Sequence, residues 1–208
     1  PKIVSLYLTH LSKNSKISTL RRRLVSISMV HKLKGHYLDT KHPIIVENLM
    51  GIRRVKGSIQ KGKKPILINH LKLVINAINE KKVEEIKKLR DKSIILIGFS
   101  GGFRRTELIS IDYEDLEFVP EGLKISIRRS KTDQFGEGMI KGIPYFSNEI
   151  YCPIVNLKKW LDISKIKSGP IFRRFSKGSS LTDTRLSDQS VVLLMKEYLN
   201  LAGIENKN

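Results

Sequence analysis

The sequence predicts a mainly α-helical protein with a small antiparallel β-sheet, arranged in two parts. Apolar residues recur at helical spacing along most of the chain. Clean two-residue alternation appears at 123–128, with 139–145 as its return strand across a Gly136-Glu137-Gly138 turn. Residues 56–65 are a hydrophilic stretch with two glycines and four lysines, which reads as a linker extended by self-repulsion. Charge divides at the same place. Residues 1–64 hold 15 Lys+Arg against 2 Asp+Glu, a net of +13, whereas 65–208 hold 24 against 18, a net of +6. The expected boundaries are a helical basic domain over 1–57, a basic linker over 58–65, and a mixed domain over 66–208.

In chain order, residues 3–12 carry one apolar stripe and predict a short helix. Ser18 or Thr19 is expected to cap a second helix whose stripe runs Leu20, Leu24, Ile27 and Val30/His31. Arg21, Arg22 and Arg23 form a basic turn at its start; solvated charge is the plainer alternative, but three arginines with no acidic neighbour favour phosphate contacts. Pro43 is expected as the first residue of a helix through Arg54, with Arg53 and Arg54 at its basic end. Lys61, Lys63 and Lys64 continue the basic surface into the linker.

Beyond the linker, Asn69 is expected to cap a helix bearing Leu71, Val74, Ile75 and Ile78, and a second helix runs over about 83–100. Residues 112–116 turn into the alternating segments. A helix over 153–163 puts Trp160 and Leu161 on its apolar side. Pro170-Ile171-Phe172 reads as a short buried segment before a glycine/serine loop, and Ser187 as the cap of a last helix with Val191, Leu194, Met195, Tyr198 and Leu199 inward.

Composition narrows the function classes. The chain has 208 residues, 40% of them hydrophobic, so it folds rather than remaining disordered. It shows no apolar run of the roughly 18 residues that a membrane span needs, and no leader peptide is visible. A chain beginning at Pro1 rather than methionine is expected to lack its natural start. One cysteine, Cys152, excludes an internal disulfide, and no C-x-x-C or Cys/His cluster exists to hold zinc. A net charge of +19 points to a polyanionic partner. A basic RNA-associated protein would share that balance, but aromatics are only 7% and form no RNA signature.

The chemistry centres on Gly101-Gly102-Phe103-Arg104-Arg105-Thr106-Glu107-Leu108. An apolar helix breaks at paired glycines, and the next helix opens on two arginines. A helix start offers free N–H groups to an anion, and a guanidinium fork adds two parallel hydrogen bonds to a phosphate. The plainer alternative is a capping arginine paired with a glutamate at i+3.

This motif, followed by Ile109-Ser110-Ile111-Asp112-Tyr113-Glu114-Asp115-Leu116, resembles the first catalytic-arginine motif of the tyrosine recombinases, the phage integrase family. The resemblance implies Arg104 as the first catalytic arginine and Glu107 as its acidic partner. Arg129-Ser130-Lys131-Thr132 resembles the family's hairpin motif and implies Lys131 as the lysine that protonates the leaving 5′ oxygen; a solvated hairpin lysine is the alternative. Cys152-Pro153, opening a helix that ends in Lys-Lys-Trp-Leu, is also similar to the family. The order of the front helices resembles the family's helical core-binding (SAM-like) domain, so the expected architecture is that domain followed by a partial integrase-type catalytic domain.

The resemblance implies double-stranded DNA as partner, a multimer on DNA, no cofactor or metal, no membrane, and a cytoplasmic, nucleoid-associated site in a bacterium or phage. The family completes its site with a His-x-x-Arg motif and a late nucleophilic tyrosine. All five histidines (His10, His31, His36, His42, His70) precede Arg104, and Tyr198 lies within an apolar stripe. The chain is therefore expected to be a truncated recombinase that binds DNA without cutting it. A non-enzymatic repressor or accessory factor retaining the fold is the competing expectation.

Overall fold

Three helices bury one apolar face each to form the core of the first of two compact units, Pro1–Lys64 and Pro65–Asn208. The computed structural model describes residues 1–57, 59, 62, 65–128 and 138–204. In the first unit, α1 (Lys2–Ser12), α2 (Ile17–Leu33) and α3 (Pro43–Lys56) enclose Leu8, Ile17, Leu20, Leu24, Leu38, Ile45 and Ile52. Pro43 stands at the first turn of α3, where its missing N–H costs nothing, and the His42 ring accepts from the Ile44 N–H at 3.3 Å. The Asn48 amide of α3 donates to the Ser5 carbonyl and hydroxyl of α1 at 2.8 and 2.7 Å, which fixes the register of those two helices.

The expected cap of α2 is corrected. The helix begins at Ile17, the cap position is Lys16 with no side-chain cap bond, and Ser18 and Thr19 lie inside the first turn. Ile17, the first residue of the helix, is buried in the core of this unit.

The second unit contains α4 (Ile68–Glu80), α5 (Glu85–Ser100), α6 (Arg105–Ser110), a 3₁₀ turn (Tyr113–Asp115), β1 (Leu116–Val119), β2 (Gly122–Ile127), β3 (Met139–Pro144), α7 (Pro153–Ser164), β4 (Arg173–Phe175), β5 (Leu181–Arg185) and α8 (Asp188–Leu201). β1, β2 and β3 form an antiparallel sheet in that order, with Leu116 opposite Ile125 and Ile125 opposite Lys141. Along β2, Leu123, Ile125 and Ile127 are buried while Lys124 and Ser126 are exposed, as alternation requires.

Helix α5 is the centre of this unit and packs against α7. Its Ile94, Leu96 and Ile97 are almost fully buried, as is Trp160 of α7, whose ring N–H donates to the Ile171 carbonyl at 2.8 Å. Ser187 caps α8 by accepting from the Ser190 N–H at 3.1 Å.

Two expectations in this unit are corrected. The cap of α4 is Leu67, whose N–H is met by the His70 ring at 3.3 Å, and Asn69 lies within the helix. The segment after Phe172 is a second hairpin, β4 with β5, rather than a loop alone. It is held by Arg173, which pairs with Asp183 and donates to the Pro170 and Ser168 carbonyls at 2.9 and 2.7 Å.

A buried ion cluster ties the last helix to α5. Asp91 accepts from Arg90 through Nε and one terminal nitrogen at 2.9 and 2.7 Å, and from the Tyr198 hydroxyl at 2.8 Å. Burial first, and the Asp91 carboxylate second, push the Tyr198 phenol well above the usual tyrosine range.

Candidate functional site

The end of α5 determines where Arg104 points. The Gly102 N–H donates to the Phe99 carbonyl at 3.3 Å and the Phe103 N–H to the Gly98 carbonyl at 3.1 Å, with Gly102 at φ +55°. This is a Schellman ending, and it needs a left-handed residue at that one position. Gly101 is small for a different reason: a Cβ there would lie 2.1 Å from the Phe103 ring. The turn delivers Arg104 to the cap position of α6.

There Glu107 turns back on the helix start. Its carboxylate accepts from the Arg104 backbone N–H at 3.0 Å and from the Arg104 guanidinium at 2.7 Å. The Glu107 side chain is 4% exposed and that of Arg104 is 47% exposed. The expected role of free N–H groups is thereby corrected: the anion at this six-residue helix start is the chain's own carboxylate. The i+3 pair foreseen as the plainer reading does form, but around a buried acid rather than as a solvated surface pair. Arg105 takes a different direction, with its guanidinium 3.9 Å from Asp188 of α8.

Sequence reasoning missed Lys141. Its ammonium donates to the Gly101 and Gly102 carbonyls at 2.9 and 3.1 Å and lies 3.7 Å from Glu107 and 4.4 Å from the centre of the Phe103 ring. The available signal was a lysine at an inward position of an alternating strand, two residues before the buried Ile143.

A second ionic group closes the far end of α6. Arg185 donates to the Ile109 carbonyl at 2.6 Å and to Asp112 at 2.5 Å, while Arg128 donates to Asp115 at 2.9 Å and lies 3.3 Å from Asp112. These pairs join the ends of α6, β2 and β5 around a cleft of about 420 Å³ that Thr106, Glu107, Ser110 and Ser126 also line. Lys131 lies outside the described residues.

In the first unit Arg21, Arg22, Arg23, Arg53 and Arg54 are all exposed, and no acidic residue occupies the first turn of any of its three helices. Arg23 donates to the Tyr7 hydroxyl at 3.1 Å. Lys61, Lys63 and Lys64 lie outside the described residues. Among the described residues no helix is long and apolar enough to cross a membrane, and no group of three or more His, Cys, Asp or Glu is placed to hold a metal. Tyr198 is fully buried, Tyr151 donates to Asn76 at 3.2 Å, and Tyr145 accepts from Lys158 at 2.8 Å.

The fold is that of the site-specific recombinases. The crystal structure of XerH site-specific recombinase bound to palindromic difH substrate, a post-cleavage complex, superposes with TM-score 0.58 at 12% identity, covering 99% of this chain and 54% of that one. The crystal structure of XerA recombinase superposes with TM-score 0.50 at 15% identity, covering 89% and 62%. No protein-family model matches the sequence. In sequence, the chain is 41% identical over 208 residues to an integrase/recombinase xerD homolog of Selenomonas ruminantium. That match covers 99% of this chain and 60% of the relative's length. The chain is thus similar in sequence and in fold to the integrase/recombinase proteins, over somewhat less than two thirds of their length.

Proposed function

We propose that this chain is the DNA-holding portion of a site-specific tyrosine recombinase. In this reading residues 1–57 are the core-binding domain, 58–65 a basic linker along the phosphate backbone, and 66–208 the N-terminal part of the catalytic domain. The observation that carries it is the half-exposed Arg104 gripped by the buried Glu107, in a chain 41% identical to an integrase/recombinase homolog.

In the proposed reaction a tyrosine oxygen attacks the scissile phosphorus, forming a 3′-phosphotyrosine as the bond to the 5′ oxygen breaks. The Arg104 guanidinium stabilises the extra negative charge on the phosphoryl oxygens, with Glu107 supporting its orientation. Lys131 gives its proton to the departing 5′ oxygen. Arg21, Arg22, Arg23, Arg53, Arg54, Lys61, Lys63 and Lys64 hold the duplex. Cofactors and metals have no step in this scheme. Assembly as a multimer on DNA, in the nucleoid of a bacterium or its phage, belongs to the same proposal.

Residues 1–208 carry no histidine after Arg104, and the Tyr198 hydroxyl is buried and bonded to Asp91. As a polypeptide they therefore bind duplex DNA and form no covalent adduct. The test is selection of bound sequences from a randomised duplex pool, followed by incubation with nicked substrates built on the recovered site. Convergence of the pool without an adduct surviving denaturation supports the proposal. A pool that does not converge removes the recombinase reading, and an adduct mapping to Tyr145, Tyr151 or Tyr198 removes the claim that this polypeptide lacks a nucleophile.

A further inference from the structure

We propose that Lys141 is the positioning residue of the phosphate clamp, setting both the placement of Arg104 and the charge an anion meets there. This rests on the reading of Arg104 as a phosphate-holding arginine.

The argument begins with the sheet. Met139, Lys141 and Ile143 share one face of β3, and Ile143 and the residue opposite Lys141, Ile125, are buried to within 2%. An apolar side chain would satisfy that face without desolvating a charge. The lysine instead keeps 20% of its side chain exposed and spends its hydrogen bonds on the turn that carries Arg104. Two protons go to the Gly101 and Gly102 carbonyls at the end of α5, where the helix dipole favours a cation. Its charge lies over the Phe103 ring, the same ring that packs on Gly101. Every residue of the turn from Gly101 to Phe103 is thus touched by one ammonium group on β3.

The second strand of the argument is electrostatic. Glu107 is 4% exposed and, among the described residues, meets the cations Arg104 at 2.7 Å and Lys141 at 3.7 Å. A buried carboxylate shared in this way draws less on Arg104 than one left to a single partner. Removing Lys141 lowers the local charge by one unit and takes one neighbouring cation from Glu107. Removing the Glu107 charge raises it by one unit. The two changes are opposite in sign and should cancel at the phosphate.

The experiment uses residues 1–208 and inorganic phosphate as probe, at constant ionic strength. The Arg104 Nε–H signal, assigned by its loss in Arg104→Lys, is followed by NMR. A wild-type signal that shifts saturably, with an apparent affinity reduced about threefold to tenfold in Lys141→Met, supports the proposal. So does retention in Lys141→Arg. Recovery in Lys141→Met/Glu107→Gln carries most weight, because glutamine still accepts the Arg104 N–H while losing the charge. A purely structural lysine would not be rescued by that second change.

An unchanged affinity in a folded Lys141→Met, or a double variant no better than the single, overturns the assignment of Lys141 alone. A wild-type Arg104 signal that ignores phosphate overturns the clamp reading and this proposal with it. Should Lys141→Met fail to fold, Lys141→Gln takes its place with the same outcomes.

Discussion

Replacing Arg21, Arg22 and Arg23 together by alanine measures how much of the duplex interface lies on the first unit. Each phosphate neutralised contributes about 0.9 to the slope of log affinity against log salt. Successive residues on a helix are 100° apart, so the three guanidinium groups in the second turn of α2 fan over roughly 200°. One duplex therefore reaches about two of them, and the tie of Arg23 to the Tyr7 hydroxyl turns that side chain toward α1. The slope should flatten by about 1.8, with about 2.7 as the ceiling for all three. Between about 50 and 200 mM salt the variant would then lose roughly tenfold less affinity than the parent. The assay is fluorescence anisotropy of a labelled duplex titrated at several salt concentrations. Thermal melting serves as the control, and it should not move because all three side chains are exposed. An unchanged slope with an unchanged melt would remove these arginines from the interface.

Asp91→Ala strands Arg90 and the Tyr198 hydroxyl in the core and should cost about 3–5 kcal/mol in denaturant unfolding; a loss below about 1 kcal/mol would show that the cluster relaxes freely. Tyr198→Phe should cost about 1–3 kcal/mol at neutral pH by leaving Asp91 one donor short. Its pH signature is separate. The folded phenol is held protonated above its unfolded pKa of about 10, so parent stability is full below that pH and falls as pH rises above it. Titrating stability into the alkaline range should show the parent's advantage over Tyr198→Phe shrinking, and a constant gap would contradict the assignment. In a full-length recombinase carrying this segment, Arg104→Ala should slow cleavage by about a hundredfold to a thousandfold. Lys131→Ala should be rescued by a bridging phosphorothiolate whose 5′ sulfur leaves without a proton, and equal rescue of Arg104→Ala would refute the division of roles.

Local chemistry made several elements legible without a fold. Pro43 and Pro153 each begin a helix because proline lacks only an N–H that the first turn does not use, and Ser187 caps α8 with a hydroxyl aimed at a free N–H. The alternation at 123–128 declared β2, and the Gly101-Gly102 pair declared the break after α5. Arg104 and Glu107, three residues apart on one short helix, were legible as a pair for the same reason: their spacing alone brings them together.

Other features were decided only when distant segments met. The caps of α2 and α4 fell at Lys16 and Leu67, rather than at Ser18 or Thr19 and at Asn69: Ile17 is buried against the other helices as the first residue of α2, and the His70 ring meets the Leu67 N–H at the start of α4. The β4–β5 hairpin has no alternating apolar pattern; Arg173 pairs with Asp183 across it, and Arg185 ties it to Asp112 beyond α6, pairs that composition does not announce. Within the site, sequence determined which residues carry charge and that Glu107 lies one turn from Arg104. Tertiary structure alone decided that this glutamate is buried and that a strand lysine closes over it, because burial and ion pairing between α6 and β3 depend on how sheet and helices pack.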